Sequence, residues 1–301
     1  MAWRWLVGFL VLCMVGCGQT AERTVVGVSL LTRQDSFYRD LEKGLRDEAA
    51  KRGLDLRVDA GEFDLARQQS QLENYTVQKV AAIVVCPADS QGISPAIARA
   101  NAAGIPVFTA DIRANDSQVV AHIASDNVAG GRLAGEYIAK KLSGKGQVAV
   151  IDQPTIQSVI ERVQGFESAL SKYPNINLVA RLNGDGVRDR ALKATEDLLQ
   201  SRPNLDAIFA INDESALGAV AAIEAAGRKG IIVVGYDASE EARTLISKGT
   251  SPLTADVAQD PYQIGKQTID TIARHLAKDS VPAVIPVQVQ MVDKASLKAA
   301  S

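Results

Sequence analysis

The chain has 301 residues, with 33 basic and 35 acidic side chains scattered along it and a formal charge of −2. A balance this even, with no basic stripe, leaves no electrostatic footprint for nucleic acid. The length is enough to bury two ordinary hydrophobic cores without disulfides.

Arg4 and the apolar run Leu6 to Val15 come first. That run is too short to span a bilayer and fits the core of a secretory signal covering residues 1–16. No later apolar stretch approaches the length of a membrane span. The tetrad Met14-Val15-Gly16-Cys17 resembles the lipobox of bacterial lipoproteins, which implies a lipid-carrying Cys17 and a short tether over residues 17–23. An ordinary signal peptide cut nearby is the alternative. Cys13 leaves with the signal in either case. Cys86, at the end of Ala81-Ala-Ile-Val-Val-Cys86, is expected to be a buried, inert thiol.

From Thr24 onward, apolar runs alternate with helical patterns, the mark of βα units and mainly parallel sheets. Thr24 to Leu31 reads as a strand. Phe37, Leu41, Gly44, Leu45 and Ala49 share one helical face, and Gly53 stops that helix. A strand starts at Leu54, a helix covers 65–77, a buried strand 81–86, a helix 93–103 and a strand 105–111. The alternation continues with helices 127–142, 156–172, 188–200 and 214–226, and strands 147–152, 176–182, 206–210 and 231–236. A helix at 262–277 and one strand around 284–291 finish the pattern. So many strands exceed one comfortable sheet, which predicts an α/β chain of two doubly wound, Rossmann-like domains.

Such sheets place ligand chemistry at the carboxyl ends of their strands. Asp111, Asp152, Asn212-Asp213 and Asp237 each follow an apolar strand directly. Each could instead cap the next helix. That reading is preferred for Asp213, and ligand contact for Asn212 and Asp237. The two histidines, His122 and His275, are far apart in sequence, and no His-Glu-x-x-His, nucleophile elbow or Cys-x-x-Cys occurs. Gly144-Lys-Gly146-Gln-Val-Ala149 imitates a dinucleotide fingerprint but precedes its strand, so no cofactor is expected. Carboxylate pairs leave an exported carbohydrate-active enzyme as the remaining catalytic reading.

Six stretches carry a resemblance. They are Ser36-Phe37-Tyr38, Ala121 to Gly131, Arg162-Val-Gln-Gly-Phe166, Ala210 to Ala219, Val233-Val-Gly-Tyr-Asp237 and Val257 to Gly265. In order and spacing they resemble the ribose-binding protein branch of the periplasmic sugar-binding family, which has the type I fold. The resemblance implies two lobes joined by a three-strand hinge near Ser125-Asp126, Gln259-Asp260 and residues 284–287. The first lobe is then 24–125 with 260–285, and the second 126–259 with 286–301. It also implies that Phe37, Tyr38, Asp111, Arg162, Asn212, Asp237 and Gln259 bind the ligand. Their chemistry suits a sugar, because carboxylates, amides and a guanidinium each pair adjacent hydroxyls. Either Phe37 or Tyr38 would cover an apolar ring face. For Arg162 the plainer reading is a surface pair with Glu161 or Glu167.

Two positions depart from the ribose-binding pattern: Ile112 stands where an arginine follows the aspartate, and Gly186 stands where the second lobe offers an aromatic. Arg113 is one residue away and in extended chain would point elsewhere. These departures argue against ribose and for a bulkier or differently oxidised polyol. The resemblance implies a non-catalytic, lipid-anchored receptor outside the cytoplasm that hands a monosaccharide or polyol to an ABC permease. A sensor role, presenting its ligand to a chemoreceptor or sensor kinase, is the alternative. A sugar-responsive repressor shares the fold but needs a helix-turn-helix where this chain has an export signal.

Overall fold

The computed structural model describes residues 24–300. The signal segment 1–16, Cys17 and the tether to residue 23 lie outside the described residues.

Two six-stranded sheets organise the chain. The first holds β1 (Thr24–Leu30), β2 (Leu54–Ala60), β3 (Ala82–Val85), β4 (Val107–Ala110), β5 (His122–Ser125) and β11 (Val284–Val287), in the order β11-β5-β4-β3-β1-β2, all parallel. Its helices are α1 (Ser36–Arg52), α2 (Leu65–Val77), α3 (Ser94–Ala102) and α9 (Pro261–Leu276). The second sheet holds β6 (Lys145–Asp152), β7 (Asn175–Asn183), β8 (Ala207–Ala210), β9 (Ile232–Asp237), β10 (Leu253–Ala258) and β12 (Gln290–Asp293), in the order β12-β10-β9-β8-β6-β7. There β12 alone runs antiparallel. Around this sheet lie α4 (Asn127–Lys141), α5 (Gln157–Leu170), α6 (Arg188–Ser201), α7 (Asp213–Ala225), α8 (Glu240–Lys248) and α10 (Lys294–Ala300). Each sheet lies between helices, so β3, β4 and β8 are buried along their whole length.

The chain passes between the lobes three times: after β5, after β10, and between β11 and β12. At the first two crossings a carboxylate starts the next helix. Asp126 accepts the Ala129 N–H at 2.9 Å, and Asp260 accepts the Gln263 N–H at 2.9 Å with Pro261 in the first turn. Ser125 is the buried last residue of β5, and the Asp126 N–H donates to the Val287 carbonyl at 3.0 Å, tying the first crossing to the third.

The end of the chain departs from expectation. Residues 284–291 form two strands of different sheets instead of one, and β11 keeps Ile285, Pro286 and Val287 in the first sheet. The third crossing therefore falls at 288–289, beyond the expected boundary at 285/286. Pro286 is tolerated because β11 is an edge strand. The elements α8 and β10 also went unforeseen. Among the described residues no helix is long and apolar enough to cross a membrane.

Candidate functional site

The carboxyl ends of strands from both sheets converge on one cavity of about 40 Å³. Its wall contains all seven residues singled out from the sequence: Phe37, Tyr38, Asp111, Arg162, Asn212, Asp237 and Gln259. Asp35, Phe63, Ile112, Gln153 and Gly186 join them.

The first-lobe side starts at the first turn of α1. Asp35 caps that helix, accepting the Phe37 N–H at 3.0 Å, and this fixes where Phe37 and Tyr38 leave the backbone. The two rings meet edge to face with centroids 5.2 Å apart. Tyr38 is buried and donates its hydroxyl to Asp111 Oδ2 at 2.6 Å. Asp111 Oδ1 is buried with no partner in the protein, leaving one acceptor for a ligand hydroxyl. Burial holds the Asp111 carboxyl above the usual carboxylate range, against the pull of Arg162 and the Tyr38 hydroxyl.

Arg162 supplies the cation. It sits on α5, which approaches α4 backbone to backbone: a side chain at Gly131 would run into the Arg162 carbonyl, and one at Gly165 into that of Val128. The guanidinium is buried, donates to Asn127 Oδ1 at 2.9 Å and to the Ile211 carbonyl at 2.7 Å, and lies over the Tyr236 ring at 4.0 Å. The surface reading of Arg162 is thereby excluded. Glu161 instead approaches Arg113 at 3.8 Å, and Glu167 pairs with Arg181.

The remaining strand ends complete the second-lobe side. Asp237 Oδ1 accepts from Gln259 Nε2 at 2.6 Å, and its Oδ2 accepts the Asp213 N–H at 3.3 Å. Gln259 Oε1 is buried and without a partner in the protein. Burial first, then the nearby Asp213 and Asp35 carboxylates, push Asp237 well above its usual range, with Arg162 opposing. Asn212 Nδ2 donates to the Gly186 carbonyl at 3.0 Å, and Asn212 Oδ1 accepts the Ser215 N–H at 3.0 Å.

That last bond corrects one expectation: Asn212, not Asp213, caps α7. Asp213 lies one residue inside the helix, where its carboxyl is buried and accepts the Ser239 N–H at 2.7 Å. Asp152 does not line the cavity; its neighbour Gln153 does.

Three acidic side chains, Asp35, Asp111 and Asp237, thus share the cavity wall with the Arg162 guanidinium. Sequence reasoning passed over Asp35 because it stands four residues beyond its strand, where an aspartate before Ser36-Phe37 reads only as a cap. Phe63 carried a signal that went unread, a lone aromatic in the polar loop between β2 and α2. Ile112 is buried in the wall, and Arg113 is directed to the cleft lip beside Glu161.

The lobes touch across the cleft mouth. Ser90 N–H donates to the Thr155 carbonyl at 3.3 Å, Gln157 N–H to Ser90 Oγ at 3.0 Å, and Asn115 Nδ2 to Gln157 Oε1 at 3.3 Å. These bonds hold the two lobes together over the cavity. Neither histidine lines the cavity: His122 shares a hydrogen bond with Thr109 Oγ1 at 2.9 Å, and His275 packs edge-on to Phe108. Burial and Arg113 hold the His122 imidazole down at about 3, so it is neutral at physiological pH.

Residues 26–280 match the model of the periplasmic binding protein domain. The chain is 34% identical over 292 residues to the ribose import binding protein of Escherichia coli, covering 96% of this chain and 97% of that protein. It is 29% identical over 239 residues to a xylitol-binding protein of Mycolicibacterium smegmatis, covering 78% of this chain and 68% of the relative. The crystal structure of a Caulobacter myo-inositol binding protein bound to myo-inositol superposes with a TM-score of 0.86 at 28% identity, covering 92% of this chain and 96% of the other.

Proposed function

The chain belongs to the periplasmic binding protein family, and from that premise we propose that it is the substrate-binding lipoprotein of a bacterial ABC-type importer for a monosaccharide or related polyol. The observation that carries this reading is the set of planar polar groups at strand ends of both lobes around one cavity, beside the Phe37 ring. Paired carboxylate, amide and guanidinium atoms match adjacent hydroxyls, and an aromatic ring matches a C–H face. A ligand touching both lobes favours the closed form through its differential affinity, and the lobes close about the crossings at Ser125-Asp126, Gln259-Asp260 and 288–289. The closed form is then what a membrane permease recognises, and no chemistry is done on the ligand.

Ribose is not the ligand we favour. Ile112 offers the cavity an apolar side chain, and three carboxylates against one guanidinium suit a ligand rich in donated hydroxyls. The ribose, xylitol and myo-inositol specificities of the relatives span the class proposed. Cys17, in this reading, carries the lipid that holds the receptor at the membrane face.

A thermal-shift screen of residues 24–301 against pentoses, hexoses, linear polyols, inositols, amino acids and nucleosides tests the proposal. A true ligand at 100 times its Kd adds about 2.7 kcal/mol of stability and is recovered unchanged. A shift with an amino acid or nucleoside and none with any sugar or polyol would overturn it. Replacing Cys17 with Ser should move the protein from the membrane fraction to the soluble one.

A further inference from the structure

The loop after β2 puts an aromatic side chain where the backbone disfavours one. Glu62 and Phe63 are both in the left-handed region, with φ of 51° and 62°. A bulky residue there is a steric outlier that glycine or asparagine would relieve. The conformation is held on several sides. Glu62 accepts from Thr32 Oγ1 at 2.7 Å and from the Arg33 N–H at 3.2 Å, while the Phe63 N–H donates to the Leu31 carbonyl at 3.2 Å.

Phe63 fills no core. It is 39% exposed and belongs to none of the buried apolar clusters. Instead it lines both the inner cavity and the outer cleft space of about 320 Å³ that leads to it. Gly186 of the second lobe lines both spaces as well and has no side chain to offer. At Gly186 φ is +67°, a backbone conformation that residues with a side chain rarely adopt, so the second lobe does not readily supply a covering group there. A strained backbone kept at a ligand mouth points to function.

We propose that Phe63 is the closing aromatic of the ligand site: on closure it covers an apolar C–H face of the bound sugar or polyol opposite Gly186 and slows its escape. The inference rests on the sugar-site reading above. Phe63→Gly, which suits the left-handed backbone, and Phe63→Tyr, which keeps the ring, are compared with wild type by calorimetric titration and by release of labelled ligand, using D-ribose, D-allose, xylitol and myo-inositol as probes. The expected result for Phe63→Gly is an unliganded melting temperature equal to or above wild type, with Kd weakened about tenfold and release correspondingly faster. Phe63→Tyr stays near wild type. A Phe63→Gly protein that binds as wild type does, or that loses unliganded stability while its affinity is unchanged, overturns the inference alone. Failure of wild type to bind these four probes and every other sugar and polyol of the thermal-shift panel overturns the inference together with the sugar reading.

Discussion

Tyr38 and Asp111 are joined by a 2.6 Å hydrogen bond that ties the first turn of α1 to the end of β4. The phenol satisfies one carboxylate oxygen and aims the other, partnerless in the protein, at incoming ligand. Tyr38→Phe removes the donor without removing the ring. We expect the unliganded protein to lose about 1–3 kcal/mol, the cost of a buried polar group left unpaired, and ligand affinity to fall as Asp111 loses its fixed orientation. Urea denaturation and calorimetric titration measure the two effects. Unchanged affinity would show that the pair is structural only.

Arg162 does two jobs that different substitutions separate. Arg162→Ala leaves Asn127 Oδ1 and the Ile211 carbonyl without their donor and removes the one cation facing Asp111 and Asp237. Breaking a buried charge arrangement in this way costs about 3–5 kcal/mol, so stability and binding should fall together. Arg162→Lys keeps the charge but loses the planar face over Tyr236 and the fork that reaches both acceptors. It should retain more stability than the alanine variant, with binding still lost on the thermal-shift panel. Full binding by the lysine variant would mean that charge alone is used.

Three of the strands legible in the sequence are buried along their whole length. Ala82–Val85 and Ala207–Ala210 are unbroken apolar runs, Val107–Ala110 is interrupted only by Thr109, and the strand-end groups Asp111 and Asn212 follow from the last two. β10 was hidden because Leu253-Thr-Ala-Asp-Val-Ala258 carries a fully buried acid, Asp256. The N–H bonded to that acid comes from Ala238, just past β9, and the carboxyl that most affects its charge from Asp213 at the start of α7, which periodicity within the strand cannot register. The place of Arg162 was legible only through the resemblance, because its glutamate neighbours in sequence suggest a surface, whereas Asn127 lies 35 residues away. The left-handed backbone at Phe63 is set by Glu62 bonds back to Thr32 and Arg33, again outside its own segment.

Asp35 should make stability depend on pH. Burial chiefly, then the Glu214, Asp213 and Asp111 carboxylates, push it from 3.8 up to about 6, although the Phe37 N–H opposes the shift. Between those values the folded protein binds more protons than the unfolded chain. Stability therefore falls as pH rises from about 4 to about 6 and does not recover above that. Asparagine caps a helix as well as aspartate does, so Asp35→Asn keeps α1 and removes only the titration. Across melts from pH 4 to pH 7.5, the advantage of the variant should grow until about pH 6.5 and then level. A difference that is constant with pH would show that Asp35 does not titrate in this range.

The carboxyls of Asp213 and Asp256 are both buried, neither Asp213 Oδ1 nor Asp256 Oδ2 has a hydrogen-bond partner in the protein, and burial raises both groups above the usual range. Asp256 accepts the Ala238 N–H at 3.0 Å and Asp213 that of Ser239 at 2.7 Å. The pair thus grips the turn at Asp237 and Ala238, whose φ values are 117° and 56°. Burial foremost, then repulsion between the two acids, holds Asp256 well above the usual range. With the folded value raised, the pair's contribution is greatest in acid and declines as pH rises above about 4. Asp256→Asn removes the charge repulsion with Asp213 and the titration of this position. It should match wild type near pH 5, exceed it in urea denaturation at pH 8.5, and leave ligand affinity nearly unchanged. Asp256→Leu removes the grip, and because Asp213 N–H also donates to Asp237, it should weaken binding as well as stability. Parallel pH profiles for wild type and Asp256→Asn would show that Asp256 does not titrate in this range.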